Sequence, residues 1–401
     1  MEIIVRLDRF LFLLLVAGIV AILTRRLKIP YTVGLVLAGI GLSLHPLFEK
    51  VPFSKELLFS VFLPPLVFDA ALQIRWKELR RDLPVVILLA TVGVCLSSAI
   101  TALGMKYVAG WGWSAALLFG ALIAATDPVS VITTFKEAGV HGRLRLLVEA
   151  ESLLNDGTAA VVFAVLIAVL SGSGAPGILG TAKFLVVTFA GGILCGALIS
   201  GAMSFLMWRT QDSLVLFTLT TVSAFFSFLA AEHFHFSGIL ACLTAGLITG
   251  NSGPLRDASS APTHAVAGYW EYLGFLANSL IFMAIGIHQL RWDPASVLAP
   301  AGIAVFFVML GRVFAVYPCC ALFAGSALRV EGKYQHVLFW GGLRGALALA
   351  LAVGLPDWVA QRETIISVTF GVVAFSIFVQ GVTMTPILRH FGEISPAKGD
   401  L

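Results

Sequence analysis

Two apolar stretches carry carboxylates where hydrocarbon side chains would be expected: ATDPVSV (125–131) and EAESLLNDGTA (149–159). A charged side chain at the centre of a membrane-spanning helix costs roughly 2.5–3.5 kcal/mol on insertion scales, so Asp127, Glu151 and Asp156 need a function there. The default function is an ion or proton pathway. Residues four apart share one helix face, which puts Ser152 and Asp156 on one stripe and Glu151 and Asn155 on the next. One stripe can offer oxygens to an ion while the other docks onto a partner helix. Pro128 has no amide proton and clashes with the preceding turn, so it is expected to break the first run. Broken backbone at membrane depth is tolerated only where it is buried in protein or lines a wet cavity.

Six ionisable residues fall inside apolar segments: Asp69, Asp127, Glu151, Asp156, Arg312 and Arg344. If each arginine neutralises one carboxylate, the remaining carboxylates are candidates to hold an exchangeable cation or proton. A carboxylate withdrawn from water takes up a proton more readily. When ionised it can ligate a hard monovalent cation such as sodium, and Thr126, Ser152, Asp156 and Asp69 all supply oxygen. Competition between proton and cation for one site, combined with alternating access, is sufficient for exchange. Each residue also has a plainer role open to it. Asp156 can make a structural hydrogen bond, and Glu151 with Arg344 reads as a buried structural pair. Asp127 can cap the broken helix or pair with Arg312, and Asp69 can snorkel to water from a cytoplasmic helix end. Glu232, His233 and His235 look like a metal cluster but fall in a turn between spans, which reads as a solvated loop.

The segments that must position these groups define the class. Of 401 residues, 59% are hydrophobic and 12% charged, against about 25% charged in soluble globular domains. The chain is therefore expected to be an all-α polytopic membrane protein, with lipid around it. The net charge of +4 is small, and no basic footprint for nucleic acid is visible. Five cysteines lie in apolar runs without metal-type spacing, and no cofactor is expected beyond the transported ions. The apolar stretch 10–23 is read as a first span rather than a cleaved signal, because RRLK follows it and no small-residue cleavage site is present.

Apolar windows predict about thirteen helices. They cover residues 8–25, 31–46, 55–73, 83–108, 112–136, 143–170, 181–208, 213–233, 236–250, 268–289, 297–328, 334–354 and 363–391. With the N-terminus outside and the C-terminus cytoplasmic, sixteen lysines and arginines fall on the inner side and eight on the outer. That is the bias expected of cytoplasmic loops. The fifth helix carries TDP and the twelfth carries GGLRGALA (341–348), each the penultimate helix of a six-helix half. This predicts two inverted halves, 1 to 6 and 8 to 13, joined by a seventh helix, with a site where the two interruptions meet.

FLPPLVFDAAL (62–72), ATDPVSV, ESLLNDG (151–157), FLANSLIFMAIG (275–286), LGR (310–312) and GGLRGALALALA (341–352) together resemble the sodium/proton antiporters of the NhaP and sodium/hydrogen exchanger type. The resemblance implies a homodimer. A dimerisation domain would come from residues 1–75 (helices 1 to 3) and 176–293 (the linker helix and helices 8 to 10). A transport core would come from 76–175 (helices 4 to 6) and 294–401 (helices 11 to 13), moving like an elevator against the dimer. It implies Asp156 as the ion- and proton-carrying group, with Thr126, Ser152 and Asp69 near the ion. Glu151 would pair with Arg344 and be supported by Asn155, while Asp127 and Arg312 stabilise the crossing. The family often has glutamate where this chain has Asp69. The Asn155–Asp156 pair resembles the electroneutral branch, which exchanges one cation for one proton.

The leading expectation is thus an electroneutral sodium/proton antiporter that also carries lithium, a secondary transporter and not an enzyme, in the cytoplasmic (inner) membrane of a prokaryote and serving pH homeostasis. The chain lacks a long regulatory tail, which fits a prokaryotic protein or a truncated one. A potassium/proton antiporter on the same scaffold is the alternative within transport. An intramembrane hydrolase would need a base beside Ser152, yet His141 lies in a loop and His336 near a helix end. A passive channel would not need a proton-titratable site between broken helices.

Overall fold

The structure is a computed structural model that describes residues 2–27, 29–45, 58–127, 132, 135, 139–172, 177–256, 260–289 and 294–393. Pro128 lies outside the described residues. Every described element is helical, and we number thirteen helices along the chain. The first six are α1 (Glu2–Leu27), α2 (Tyr31–Ser43), α3 (58–73), α4 (Trp76–Tyr107), α5 (Trp113–Ala124) and α6 (Arg143–Leu170). Then follow α7 (Gly177–Met207), α8 (Ser213–His233), α9 (Gly238–Gly250), α10 (Ala261–Gln289) and α11 (Pro294–Ala321). Two half-helices, Gly332–Trp340 and Ala346–Val353, make up α12, and α13 is Arg362–His390. Among the described residues, eight helices are long and apolar enough to cross a membrane, and four shorter apolar ones lie between them. Helices suit lipid because all their backbone polar groups are satisfied within the segment. At 28 residues and 1.5 Å per residue, α6 is about 42 Å long, more than the roughly 30 Å of hydrocarbon. Its length therefore carries one or both of its ends beyond the apolar layer.

Several boundaries differ from expectation for identifiable reasons. Helix α4 starts at Trp76 rather than 83, because WKELRRD is amphipathic and its Asp82, 3% exposed, is fixed by Arg143 at 2.7 Å. The long run 297–328 ends as a helix at Ala321. Arg143 holds the turn beyond it, donating to Leu328 O at 2.9 Å and Arg329 O at 2.7 Å. The fifth helix stops at Ala124, with Ala125 extended (ψ 136°), so the interruption begins three residues before Pro128. Three π-helical turns, Leu58–Phe62, Leu89–Gly93 and Ser376–Gly381, are present in α3, α4 and α13.

Packing divides the helices into two sets. In one, α2 lies on α10, α7 on α8 and α9, and α3 on α9 and α10. Small residues set these distances: a Cβ on Gly39 would strike Met283 O, and one on Gly286 would strike Val36 O. Backbone contact of this kind is how helices associate in lipid, where no hydrophobic force drives them together. In the other set, α4 lies on α5 and α11, α5 on α6, and α11 on α13. The sets touch where α6 meets α3, α7 and α9, where the π-turn of α13 meets α2, and where the second half of α12 meets α10.

Candidate functional site

Helix α6 presents its two polar stripes to different neighbours. On the first, Glu151 accepts two bonds from Arg312 of α11, Nη1 to Oε1 at 2.7 Å and Nη2 to Oε2 at 3.0 Å. Asn155 Nδ2 supports it from the next turn at 3.3 Å. The sequence pairs Glu151 with Arg344; the structure corrects this, because Arg312 holds Glu151. Arg344 Nη1 instead donates to Ala124 O at 2.6 Å and Ala125 O at 3.0 Å, where α5 ends. Arg312 Nη2 also reaches Leu338 O at 2.8 Å, near the end of the first half of α12.

Helix ends explain this arrangement. The last carbonyls of a helix are unsatisfied and carry partial negative charge, so a cation is favourable there. Each arginine sits, buried, at one such end. The complementary end belongs to Asp127, whose carboxylate packs against Gly345, the residue that precedes Ala346–Val353. A Cβ on Gly345 would strike Asp127 Oδ2, so only glycine lets the carboxylate this close to the start of that half-helix. Asp127 N also donates to Leu343 O at 2.7 Å, joining the two interruptions through backbone. The Asp127 carboxylate thus lies beside the start of the second half of α12.

The second stripe faces the interruption of α5. Ser152 Oγ donates to Thr126 O at 2.7 Å and lies 2.9 Å from Thr126 Oγ1. With its proton committed to the carbonyl, Ser152 Oγ accepts from Thr126, and both hydroxyl oxygens keep lone pairs. One turn along lies Asp156, 7% exposed, whose Oδ1 has no hydrogen-bond partner among the described residues. Its charged surroundings are Asp127, Glu151 and Arg344. An unpaired buried carboxylate oxygen is costly in an apolar interior. Beside two hydroxyl oxygens it forms a set that suits a hard cation or a proton.

Asp69 accepts from Gln73 Nε2 at 3.0 Å and packs on Gly274 of α10, 3.5 Å from where a Cβ there would lie. Its described contacts place it on the α3–α10 seam. Gln73 also lines a cavity of about 360 Å³ between α3, the start of α6 and the start of α10. Glu149 and Arg145, joined at 2.6 Å, form part of its wall. Glu149 is seven residues from Asp156 on α6, about 10 Å along the axis, so the cavity ends roughly two turns from the carboxylate. Sequence reasoning quoted Glu149 within its motif without giving it a role. Glu232, His233 and His235, read from the sequence as a solvated loop, are exposed, and Glu232 accepts from Gly238 N at 3.0 Å.

Residues 11–390 match the profile of the family described as "Sodium/hydrogen exchanger, transmembrane". The chain is 38% identical to a Na(+)/H(+) antiporter of Aphanothece halophytica, across 92% of this chain and 70% of that one. It is 32% identical to a Na(+)/H(+) antiporter of Halobacillus dabanensis, across 96% and 98%. In fold it is similar to the sodium proton antiporter MjNhaP1 of Methanocaldococcus jannaschii, with a TM-score of 0.78 at 21% identity, covering 99% of this chain and all of that one.

Proposed function

Since the chain belongs to the sodium/hydrogen exchanger family of transmembrane proteins, we propose that Asp156 is the group that carries sodium and protons in turn. The chain is an integral membrane sodium/proton antiporter. One observation carries the assignment to Asp156: among the described residues its buried Oδ1 has no hydrogen-bond partner, beside the Thr126–Ser152 hydroxyl pair, while the other carboxylates nearby are engaged. Sodium would be held by Asp156, Ser152 and Thr126, with lithium accepted by the same hard oxygens. Asp69 would stand beside the approach from the cavity.

Charge supports a one-for-one exchange. Asp127, Glu151 and Asp156 with Arg312 and Arg344 leave a single formal negative charge, which one cation or one proton neutralises. Such a cluster crosses the membrane in either loaded state at no difference in net charge, which is the condition for electroneutral transport. The two helix sets meet along few elements, and this supports the helices carrying the site moving as one body against α1 to α3 and α7 to α10. We place the protein as a homodimer in a prokaryotic inner membrane, N-terminus outside. The test is proton flux in proteoliposomes under sodium, lithium and potassium gradients with the membrane potential clamped. Exchange driven by sodium and lithium, reversed by inverting the pH gradient and lost in Asp156→Asn, is expected. Undiminished exchange by folded Asp156→Asn overturns the assignment.

A further inference from the structure

A buried polar residue on α13 has no role in the exchange described above. Gln380 is 2% exposed and lies in the π-helical turn Ser376–Gly381. Its Oε1 accepts from Ser376 Oγ at 2.8 Å, which fixes the orientation of the amide. Nε2 then points at Trp340 O, at 3.1 Å. Trp340 is the last residue of the first half of α12, and the indole of the same residue donates to Thr383 Oγ1 at 2.9 Å. The carbonyl two residues earlier, Leu338 O, is the one held by Arg312. The end of this half-helix is therefore gripped from two sides, by a charged donor from α11 and a neutral one from α13. A π-turn inserts an extra residue into the helix and is found mostly at functional positions, where it re-aims a side chain. The same turn is where α13 touches α2, a helix of the opposite set.

We propose that Gln380 is a positioning residue for the exchange site. From the π-turn it sets where the first half of α12 ends, and so the placement of Arg312, Glu151 and, behind them, Asp156. A buried amide whose two ends are both bonded tolerates little movement, because a donor or carbonyl left unpaired away from water is costly. The proposal rests on the assignment of exchange to Asp156.

The test uses the protein in proteoliposomes with Gln380→Met, which keeps side-chain length and removes the hydrogen bonds to Ser376, Trp340 O and Met309 Sδ, and Ser376→Ala, which frees the amide to rotate. Thermal stability, maximal exchange rate, half-saturating sodium concentration and the pH of half-maximal exchange are measured together. A residue that only holds the fold would lower stability or the amount of active protein and leave the last two quantities unchanged. Positioning predicts a three- to tenfold rise in half-saturating sodium and a displaced pH midpoint in Gln380→Met, with a smaller change of the same sense in Ser376→Ala. Should Gln380→Met not fold, Ser376→Ala decides alone. Wild-type sodium saturation and pH midpoint in the folded variants overturn the proposal. Retained exchange by Asp156→Asn in the same assay would instead overturn the assignment beneath it.

Discussion

Replacing Arg312 by methionine tests the framework behind the ion site. In the native protein Arg312 gives Glu151 two charge-assisted bonds at 2.7 and 3.0 Å, and the two side chains are 6% and 2% exposed. The substitution would leave Glu151 with only the Asn155 amide at 3.3 Å as its described hydrogen-bond partner. Breaking one side of a buried ion pair costs about 3–5 kcal/mol, because the surviving charge stays buried without its partner. At about 2 °C per kcal/mol, this lowers the melting temperature by about 6–10 °C. Glu151→Gln should fall comparably, since it strands the guanidinium. The double variant removes both charges, so it should recover about 2–3 kcal/mol relative to the sum of the single changes, or about 4–6 °C. Arg344 bonds the end of α5 and meets Glu151 only through the field of its charge, so Glu151→Gln with Arg344→Met should show less than about half the coupling of the Arg312 pair. Thermal unfolding of the purified protein in detergent, at one scan rate, measures all five variants. Additivity for Arg312 together with coupling for Arg344 would refute the pairing.

Three further outcomes follow from the site. Thr126→Val and Ser152→Ala each remove one hydroxyl oxygen and should raise the half-saturating sodium concentration about tenfold, a loss of about 1.4 kcal/mol; exchange kinetics across sodium concentrations check this. Asp127→Asn removes a charge from the start of Ala346–Val353 and should cost about 1 kcal/mol of stability while exchange persists, measured by melting temperature and flux on one preparation. Asp69→Asn keeps the acceptor for Gln73 and should change sodium half-saturation by less than about threefold; a shift as large as that of Ser152→Ala would place Asp69 among the ligands.

The helices and both interruptions were legible because hydrocarbon demands long apolar runs, and TDP and GGLRGALA are conspicuous within them. The two stripes of α6 were equally plain, since four-residue spacing fixes a face. Partner choice was not. Glu151 and Arg312 are 161 positions apart, and nothing in two isolated arginines says which will meet a carboxylate and which a helix end. That distinction arises only when Ala124 and Leu338 present their carbonyls in three dimensions. The start of the α5 interruption at Ala125 was missed for a related reason: Arg344, not proline, satisfies the carbonyls released there. Gln380 left a faint trace, a lone amide in an apolar run, but its π-turn has no spacing signature.

The central claim is that one carboxylate holds either a proton or a sodium ion. Adding sodium to the purified protein in weakly buffered detergent solution, with a pH indicator and calorimetry in parallel, tests this directly. The wild type should release one proton for each sodium bound, and Asp156→Asn should neither bind sodium nor release protons. Sodium binding without proton release, or unchanged release from Asp156→Asn, would contradict the account.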